Sequence, residues 1–393
     1  MNKRILVLIV LLFAGINFPN DKPGLIPFRE GDKWGFCNFK KEMIIPAKFQ
    51  EADRYYKGYS RVKLNNKYCL LDEQGNPACG PVYDNIYYMI ENRAGVEINN
   101  LWGFVNPLGK LVVNPVYDEI YSFNEGLAAV RKGNKWGFTD TNGVEVIPLI
   151  YDRVFSFKYG LAGVSINKKC GFINKKGEQV IKIAFNQIPS RYEDVFSDSL
   201  SAVRLKNFWG FIDVKGKIVI PYVFDFVFAY SEGLAGFAEG AKCGFINKFG
   251  KVIVQPQFDN VYQFHENYCC VWKNKKAGYI NKAGKLITLY KYTDANSFSE
   301  GRARVGIEGK FGFIDTTGSM VIPLIYDGED NFHEKLAAVK KDGKWGYIDE
   351  TGKLVIPFKY ESISSFGDGI ALVKYKGIFG YIGTDGKEYW TDN

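Results

Sequence analysis

The stretch EGLAAVRKGNKWGFTDTNGVEVIPLIYD, residues 125–152, decides the fold, because its pattern returns along the whole chain. We count positions in each copy from the glycine of the Trp-Gly pair, here Gly137, which is position 0. This glycine recurs every 34 residues, with one interval of 39 residues, and Cys69 stands in its place in one of the eleven copies. The glycines are Gly35, Gly103, Gly137, Gly171, Gly210, Gly244, Gly278, Gly312, Gly346 and Gly380. A fixed period of this length is the signature of a repeat architecture.

Each copy contains tight turns that separate three short apolar segments. Residues 140–143, Asp-Thr-Asn-Gly, fit a type I turn with a glycine bulge, with Asp first and Gly where φ is positive. Gly133 and Asn134 mark the turn before it, and Pro148 ends the third segment because proline cannot donate to a strand ladder. We therefore predict a three-stranded antiparallel meander in each copy, with the Tyr-Asp stretch as a connector to the next.

The middle segment indicates how the copies pack. Phe172 and Ile173 at positions 1 and 2 point to opposite faces, so both faces need cover and neighbouring copies must sandwich one another. The chain starts with a first strand at residues 25–29 and stops after a third strand, and eleven copies exceed the roughly four to eight blades of ordinary propellers. We expect an all-β fold, a tandem array of about eleven 34-residue meanders that forms an open superhelical β repeat, with a propeller-like ring as the alternative.

Four motifs carry a family resemblance. KWGF at residues 135–138, KWGY at 344–347, VIP at 146–148 and EGLA at 125–128 resemble the WG-repeat family, also called KWG repeats. The resemblance implies a bacterial, often exported, β-structured repeat protein whose biochemical role is mostly uncharacterised, and it supplies no catalytic residues. We expect one repeat array over residues 25–393, interrupted by a five-residue insertion near residues 186–195.

The N-terminus indicates export. Lys3 and Arg4 precede an apolar run from Ile5 to Ile16, which is shorter than the roughly 20 residues of a membrane span. We interpret residues 1–18 as a secretory signal peptide and expect an extracytoplasmic protein, in the periplasm, at the cell surface or secreted, with no membrane span after signal removal. The net charge of +8 is spread over polar turns rather than a basic face, so we expect no nucleic-acid partner.

The polar residues follow the repeat. His265 and His333 are the two histidines, and both occupy position 21, which is typical of surface substitutions in a connector. Asp140 and Asp315 share position 3, where Asp forms the turn. No nucleophile, phosphate-binding or metal-binding motif is present in the sequence. We therefore expect no enzyme, no metal site and no cofactor.

Breaks in the period suggest where a partner binds. Trp272 occupies position 28, which is mostly polar in the other copies, and Tyr268 lies in the same irregular region. Arg191 and Tyr192 belong to the insertion. These four residues are the candidate binding residues of an exported, non-enzymatic scaffold that binds a protein or cell-envelope partner along its long side. The alternative is a glycan-binding module that holds envelope polysaccharide with exposed aromatic side chains.

One cysteine pair is predicted to form a disulfide. If position 3 faces position 7 across the turn, position 0 faces position 10, which in the second copy pairs Cys69 with Cys79. An oxidising compartment would allow the bond provided that the two Cα atoms lie about 4.4 to 6.8 Å apart. Mass spectrometry of unreduced peptides should find Cys69 linked to Cys79, and free thiols at both positions would discard the bond.

Overall fold

The structure, a computed structural model, describes residues 24–78, 80, 82–189 and 195–391, and every regular element in these residues is a β-strand. The strands form eleven small sheets, which we number along the chain. The first five sheets comprise β1 Ile26–Glu30, β2 Lys33–Cys37 and β3 Met43–Phe49 in sheet 1; β4 Glu51–Ala52, β5 Tyr59–Leu64 and β6 Lys67–Asp72 in sheet 2; β7 Asn85–Ile86, β8 Ala94–Ile98, β9 Leu101–Val105 and β10 Leu111–Tyr117 in sheet 3; β11 Glu119–Ile120, β12 Leu127–Lys132, β13 Lys135–Asp140 and β14 Glu145–Tyr151 in sheet 4; β15 Arg153–Val154, β16 Leu161–Ile166, β17 Lys169–Asn174 and β18 Gln179–Phe185 in sheet 5.

The remaining sheets repeat the same plan. They comprise β19 Leu200–Leu205, β20 Phe208–Asp213 and β21 Ile218–Phe224 in sheet 6; β22 Phe226–Val227, β23 Leu234–Glu239, β24 Lys242–Asn247 and β25 Val252–Phe258 in sheet 7; β26 Asn260–Val261, β27 Tyr268–Lys273, β28 Lys276–Asn281 and β29 Leu286–Tyr292 in sheet 8; β30 Asp294–Ser299, β31 Arg302–Ile307, β32 Lys310–Asp315 and β33 Met320–Tyr326 in sheet 9; β34 Gly328–His333, β35 Leu336–Lys341, β36 Lys344–Asp349 and β37 Leu354–Tyr360 in sheet 10; β38 Ser362–Ile363, β39 Ile370–Tyr375 and β40 Ile378–Gly383 in sheet 11; β41 Trp390–Thr391 pairs with sheet 1.

Sheet 4 shows the plan of a typical unit. The predicted meander is confirmed, because β12, β13 and β14 pair antiparallel in chain order. The Tyr-Asp connector is more than a connector, however, since residues just after it form the short strand β11, which pairs with β12 through Glu119↔Arg131 and Ile120↔Val130. A single residue, Asp118, separates this strand from the last strand of sheet 3. This connector therefore ties sheet 3 directly to sheet 4.

A bulge in the second hairpin explains the glycine at position 0. Thr139 at position 2 faces Glu145 at position 8, but Phe138 at position 1 faces Ile147 at position 10, so one residue is gained between the two pairs. A Cβ atom on Gly137 would collide with the carbonyl oxygen of Ile147. The predicted pairing of position 0 with position 10 is therefore shifted by one residue in sheet 4, although the two positions remain in close approach.

Sheet 2 departs from the plan where Cys69 replaces this glycine. Its third segment makes two isolated bridges among the described residues, Tyr68↔Tyr83 and Leu71↔Pro77. A side chain at position 0 occupies the space that the third strand takes in the other sheets, which accounts for the irregular segment. Cys69 is buried, whereas Cys79 lies outside the described residues, so the disulfide stays a prediction.

The hydrophobic core is divided among the junctions between sheets. One cluster joins Trp136 and Phe138 of sheet 4 to Val154, Phe157 and Val164 of sheet 5. Comparable clusters join the other neighbours, for example sheets 7 and 8. The expectation that copies sandwich one another is confirmed, because each sheet buries its faces on the sheets beside it.

Repeated carboxylates fix the hairpins at both ends of the connector. Asp152 at position 15 accepts a hydrogen bond from Lys135 Nζ at 2.6 Å and another from the backbone N–H of Asn167 at 2.7 Å, so it holds the next hairpin turn. The same pair of bonds recurs at Asp327 with Lys310 and Asp342. The lysine before the Trp-Gly pair and the aspartate after the tyrosine therefore belong to one interaction.

A second carboxylate brackets successive sheets. Both residues of the Glu-Gly turn have positive φ, 53° at Glu125 and 86° at Gly126, as in a type I′ hairpin turn. The carboxylate of Glu266 accepts hydrogen bonds from the backbone N–H groups of Glu300 and Gly301, at 2.7 and 2.9 Å, in the corresponding turn of the next sheet. Glu91, Glu232 and Glu300 likewise satisfy two backbone donors of the next turn, whereas Glu125 and Glu334 satisfy one.

The two ends of the chain close the array into a ring. Strand β41 runs parallel to β1, with Arg29↔Trp390 and Glu30↔Thr391 as partners. A shared cluster supports the contact, since Ile26 and Phe28 pack with Ile370 and Tyr381. The structure therefore has the propeller-like alternative rather than the open array that the sequence favoured. The physical reason is that β41 takes the edge of sheet 1 that the first strand takes in most other sheets, for example β11 in sheet 4.

We predict that Trp136→Ala destabilises the protein, because the indole is 7% exposed and lies in the cluster between sheets 4 and 5. The expected loss is about 3 to 5 kcal/mol, measured by chemical denaturation. Phe249→Ala is the matched control, since that ring is 77% exposed and should change stability by less than about 0.5 kcal/mol. A loss below about 1 kcal/mol for Trp136→Ala would show that the inter-sheet cluster does not depend on the indole.

Candidate functional site

The residues at positions 16 to 21 converge toward the middle of the ring. One pocket of about 640 Å³ is lined by Tyr56 of sheet 2, Tyr88 of sheet 3, Asn124 of sheet 4 and Ser156 of sheet 5. Arg54 of sheet 2 donates from Nη1 to the carbonyl oxygen of Gly367 in sheet 11 at 3.3 Å, which reaches past sheet 1. Side chains from sheets that are not neighbours meet here, and we call the surface formed by positions 16 to 21 the central groove.

Aromatic rings at position 18 lie over small residues in the adjacent strand. The backbone N–H of Tyr87 donates to the carbonyl of Gly95 at 2.8 Å, so the two residues are direct neighbours. A Cβ atom on Gly95 would come within 3.0 Å of the Tyr87 ring, and one on Gly236 within 2.9 Å of the Phe228 ring. The five pairs of this kind are Tyr87 with Gly95, Tyr121 with Ala129, Phe155 with Gly163, Phe228 with Gly236 and Tyr262 with Cys270.

Two of these tyrosines are held by the tryptophans of the Trp-Gly pairs. Tyr87 stacks on Trp102 with ring centroids 4.4 Å apart, and Tyr121 lies 4.9 Å from Trp136. The tryptophans are buried, whereas Tyr87 and Tyr121 are 36% and 39% exposed. Each tyrosine is therefore a partly exposed ring with a fixed orientation.

The groove between sheets 4 and 5 holds charged side chains that already have partners. Its pocket of about 510 Å³ is lined by Glu119, Tyr121, Trp136, Arg153, Val154, Phe155 and Ser156. Glu119 pairs with Arg131 Nε at 3.1 Å, and the Arg153 guanidinium lies 5.6 Å from the centre of the Phe155 ring. Ser156 also lines the pocket of sheets 2 to 5, so the two pockets form one continuous segment of the groove.

A second segment of the groove lies at sheets 6 to 9. A pocket of about 590 Å³ is lined by aromatic residues, including Phe226 and Tyr262, and by polar residues, including Gln187, Gln263 and Ser297. Phe226 and Tyr262 are 46% and 36% exposed. The segment therefore combines exposed rings with uncharged polar groups, as the first segment does.

The five-residue insertion begins at this second pocket. Gln187 and Pro189, its last described residues before the gap, line the pocket, and Gln187 forms a bridge with Arg204 of sheet 6. Arg191 and Tyr192, the predicted binding residues of the insertion, lie outside the described residues. Gln187 and Pro189 thus place the start of the insertion at the central groove.

Sheets 2 and 9 replace the ring and its small partner by a polar pair. Asp53 faces Arg61 in sheet 2, and Arg61 Nε lies 2.9 Å from the Asp53 carboxylate. In sheet 9 the corresponding residues are Asn296 and Arg304, and Arg304 Nη2 lies 2.5 Å from Asp294. An arginine occupies position 26 in these two sheets, whereas sheets 10 and 11, which also lack an aromatic residue at position 18, have Ala338 and Leu372 there.

Glu329 is a buried acid beside this arginine. It occupies position 17, an aliphatic position in most other sheets, and its side chain is fully buried in β34, the six-residue first strand of sheet 10. Arg304 Nε lies 3.3 Å from Glu329 Oε1, but neither carboxylate oxygen has a hydrogen-bond partner among the described residues. Burial raises the pKa of Glu329 to about 8, and the positive charge of Arg304 offsets this effect only in part.

Trp272 and Tyr268 lie together, but in a packed cluster. Trp272 is half-buried, and its strand neighbour is Ala277, which stands where the tryptophan of the Trp-Gly pair occurs in other sheets. In sheet 4 the corresponding neighbours are Arg131 and Trp136. The indole of this residue pair therefore lies on β27 in sheet 8, whereas it lies on β13 in sheet 4. Trp272 thus has a packing role that the polar residues at position 28 of the other copies did not predict. Tyr268 packs 5.0 Å from Phe298.

The two histidines lie at the surface. His265 and His333 are exposed, as expected for surface substitutions, and His265 lies at the rim of the second pocket.

Within residues 24–78, 80, 82–189 and 195–391, no group of three or more His, Cys, Asp or Glu side chains is arranged to hold a metal ion. The same residues include no helix long and apolar enough to cross a membrane.

Comparison with protein families identifies the repeat. The WG containing repeat matches ten times, at residues 34–68, 70–102, 102–136, 136–170, 171–207, 209–243, 244–276, 278–311, 311–345 and 345–377. The chain belongs to the WG-repeat family. The family resemblance that the sequence motifs indicated is confirmed. No curated protein matches the chain significantly in sequence.

Solved structures resemble the WG-repeat chain only distantly. A eukaryotic initiation factor is 12% identical with a TM-score of 0.45, over 75% of this chain and 94% of that one. The extracellular domain of the hybrid two component system BT3049 from B. thetaiotaomicron is 10% identical with a TM-score of 0.24, over 95% of this chain and 64% of that one. The extracellular domain of the one component system BT4673 from the same organism is 10% identical with a TM-score of 0.29, over 97% and 72%. Likeness at this level does not identify a function.

Sequence reasoning missed the aromatic row at position 18. The signal was present, since each aromatic residue at position 18 is paired with Gly, Ala or Cys eight positions later, whereas Asp53 and Asn296 are paired with arginine. Comparing these two positions along the repeats would have revealed the row before the structure did.

We predict that Glu329 makes stability fall as the pH rises. The folded protein keeps a proton that the unfolded chain loses, because the pKa of Glu329 rises from 4.5 to about 8 on folding. The free energy of unfolding should therefore fall between pH 4.5 and 8, and Glu329→Gln should remove a fall on the order of 4 kcal/mol, measured by urea denaturation at pH 5 and pH 9. Glu308→Gln, at an exposed turn, is the control. Identical pH profiles for the wild type and Glu329→Gln would contradict this role.

Proposed function

We propose that this WG-repeat chain is an exported, non-enzymatic scaffold that binds a protein or cell-envelope partner in its central groove. The observation that carries the proposal is the row of aromatic rings at position 18, fixed over small residues in the adjacent strand, in which Tyr87, Tyr121 and Tyr262 are partly exposed. Rings of this kind bury much apolar area on contact with a partner and lose little side-chain freedom.

The repeat positions that stabilise the fold differ from those that line the groove, which supports this choice of surface. Asp140 at position 3 accepts hydrogen bonds from the backbone N–H groups of Asn142 and Val144, both at 2.9 Å, so it shapes its own turn. Asp152 and Glu266 hold neighbouring turns, as described above. These recurring acids serve the fold, whereas positions 16, 18 and 19 vary from sheet to sheet along the groove. Variation on a constant frame is expected of a surface that selects a partner.

The N-terminal sequence supports export. The cations Lys3 and Arg4 and the apolar run from Ile5 to Ile16 have the order of a secretory signal, although residues 1–23 lie outside the described part of the structure. An extracytoplasmic location would give the groove access to envelope components. The periplasm, the cell surface and the medium all satisfy this requirement.

The experiment is capture from the envelope fraction of the organism that encodes the chain. Tyr121→Ala combined with Tyr262→Ala removes one exposed ring from each groove segment and should weaken capture at least ten-fold, measured by quantitative pull-down with the full chain. Phe249→Ala removes a more exposed ring that lies in a hairpin turn, and it should leave capture unchanged.

The same cells test the location. Sequencing of the mature N-terminus should show loss of the first residues in an extracytoplasmic fraction. Intact Met1 in the cytosol would refute export. Equal capture by the wild type and the double variant, with unchanged melting temperatures, would remove the central groove from the proposal.

A further inference from the structure

We infer that the ligand of the central groove is a neutral polysaccharide chain, an inference that rests on the proposed function and names the class of partner. The chain would lie along positions 16 to 21 of sheets 3 to 5, with a second stretch at sheets 7 and 8.

The exposed rings match the apolar faces of sugars. An aromatic ring carries negative charge density on its face, which attracts the weakly positive C–H groups that a pyranose presents on one side. Tyr87 and Tyr121 are partly exposed and are supported by Trp102 and Trp136, so they form fixed platforms. Phe226 and Tyr262 are exposed rings in the second segment.

The polar groups beside these rings are mostly uncharged. Ser122 and Ser156 line the first segment, and Gln187 and Gln263 line the second. None of these four side chains makes a hydrogen bond to another described residue. Hydroxyl and amide groups can both donate and accept, so they suit the hydroxyl groups of a sugar.

The charged groups of the groove are already engaged. Arg61 is paired with Asp53, and Glu119 is paired with Arg131. Arg153 lies over the Phe155 ring. The two ion pairs offer little attraction to an anionic polymer or a strongly charged peptide, because an incoming charge would have to break them. A neutral ligand meets no such cost.

Repetition favours a polymer over a single sugar. The two pockets of the first segment share Ser156 and measure about 640 and 510 Å³, each within the roughly 300 to 1,000 Å³ of small-molecule sites. Consecutive platforms come from consecutive sheets, so a chain of sugars can contact several of them at once. Linked contacts raise the affinity of the whole chain above that of one unit.

The test is affinity electrophoresis of the full chain in native gels. The gels contain one soluble neutral polysaccharide each, namely mannan, arabinogalactan, dextran, laminarin or xyloglucan, or polygalacturonate as the anionic comparison. We expect retardation by at least one neutral polysaccharide and none by polygalacturonate. Oligosaccharides of the retarding polymer should bind at least ten-fold more tightly at six units than at two.

Variants locate the contact. Tyr121→Ala and Tyr262→Ala should each lower the affinity for that polysaccharide about ten-fold or more, whereas Tyr121→Phe keeps the ring and should lower it less than three-fold. Phe249→Ala is the matched exposed-ring control and should bind like the wild type. Circular dichroism melting curves exclude unfolding as the cause of lost binding.

Three results would overturn the inference. They are absence of retardation by every neutral polysaccharide, stronger retardation by polygalacturonate, and unchanged affinity in both groove variants. Pre-treating the envelope fraction with proteinase K separates the two proposals. If protease abolishes capture and Tyr121→Ala with Tyr262→Ala also abolishes it, the groove binds a protein, so the scaffold function stands and the polysaccharide inference fails.

Discussion

Burial between sheets is the constraint on which the rest of the structure depends. A unit of about three strands is too small to cover its own two faces, so each sheet of this chain must be packed on both sides. The tryptophan of one sheet reaches the aliphatic residues of the next, as Trp136 does with Val154 and Val164. An open array would leave an uncovered apolar face at each end. Pairing of β41 with β1 removes both faces at once and brings Phe28 and Tyr381 into one cluster.

Short connections keep neighbouring sheets in a fixed relation. At five junctions a single aspartate, such as Asp152, lies between the last strand of a sheet and the first strand of the next. Its two carboxylate oxygens bind a lysine of the earlier sheet and a backbone N–H of the later sheet's hairpin. The position-22 glutamates add a second link between sheets, from Glu266 to Glu300 and from Glu300 to Glu334. Since exposed ion pairs contribute little individually, the bonds to backbone donors matter more for this geometry.

Local features of the fold could be predicted from the sequence, whereas the global closure could not. The turn at Asp140 to Gly143, the three longer strands and the packing of sheet on sheet follow from periodicity and turn chemistry. The bulge at Gly137 could not be predicted, because a glycine at this position indicates that another backbone segment comes close but not which segment it is. Closure depends on where residues 390–391 dock, a contact between chain ends that no period contains. The candidate site was only partly predictable, because one departure from the repeat can compensate for another. Trp272 replaces a polar residue, but it faces Ala277, which replaces the tryptophan of the Trp-Gly pair.

The pairing of positions 18 and 26 separates what the fold requires from what a ligand can select. Gly95 and Gly236 lie where a Cβ atom would press on the rings of Tyr87 and Phe228, so each exposed ring depends on a small residue across the strand. Arg304 stands at position 26 in sheet 9, where its guanidinium pairs with Asp294, whereas Ala338 stands at this position in sheet 10, eight residues after Asp330. The frame therefore accepts a polar residue at position 18 with either a long or a small residue at position 26. Either pair leaves the inter-sheet core intact, since Ala303 and Val305 of the same strand stay buried. Sheets can therefore exchange aromatic platforms for charged pairs one at a time, and the order of these exchanges around the ring sets the sequence of surfaces that a long ligand meets.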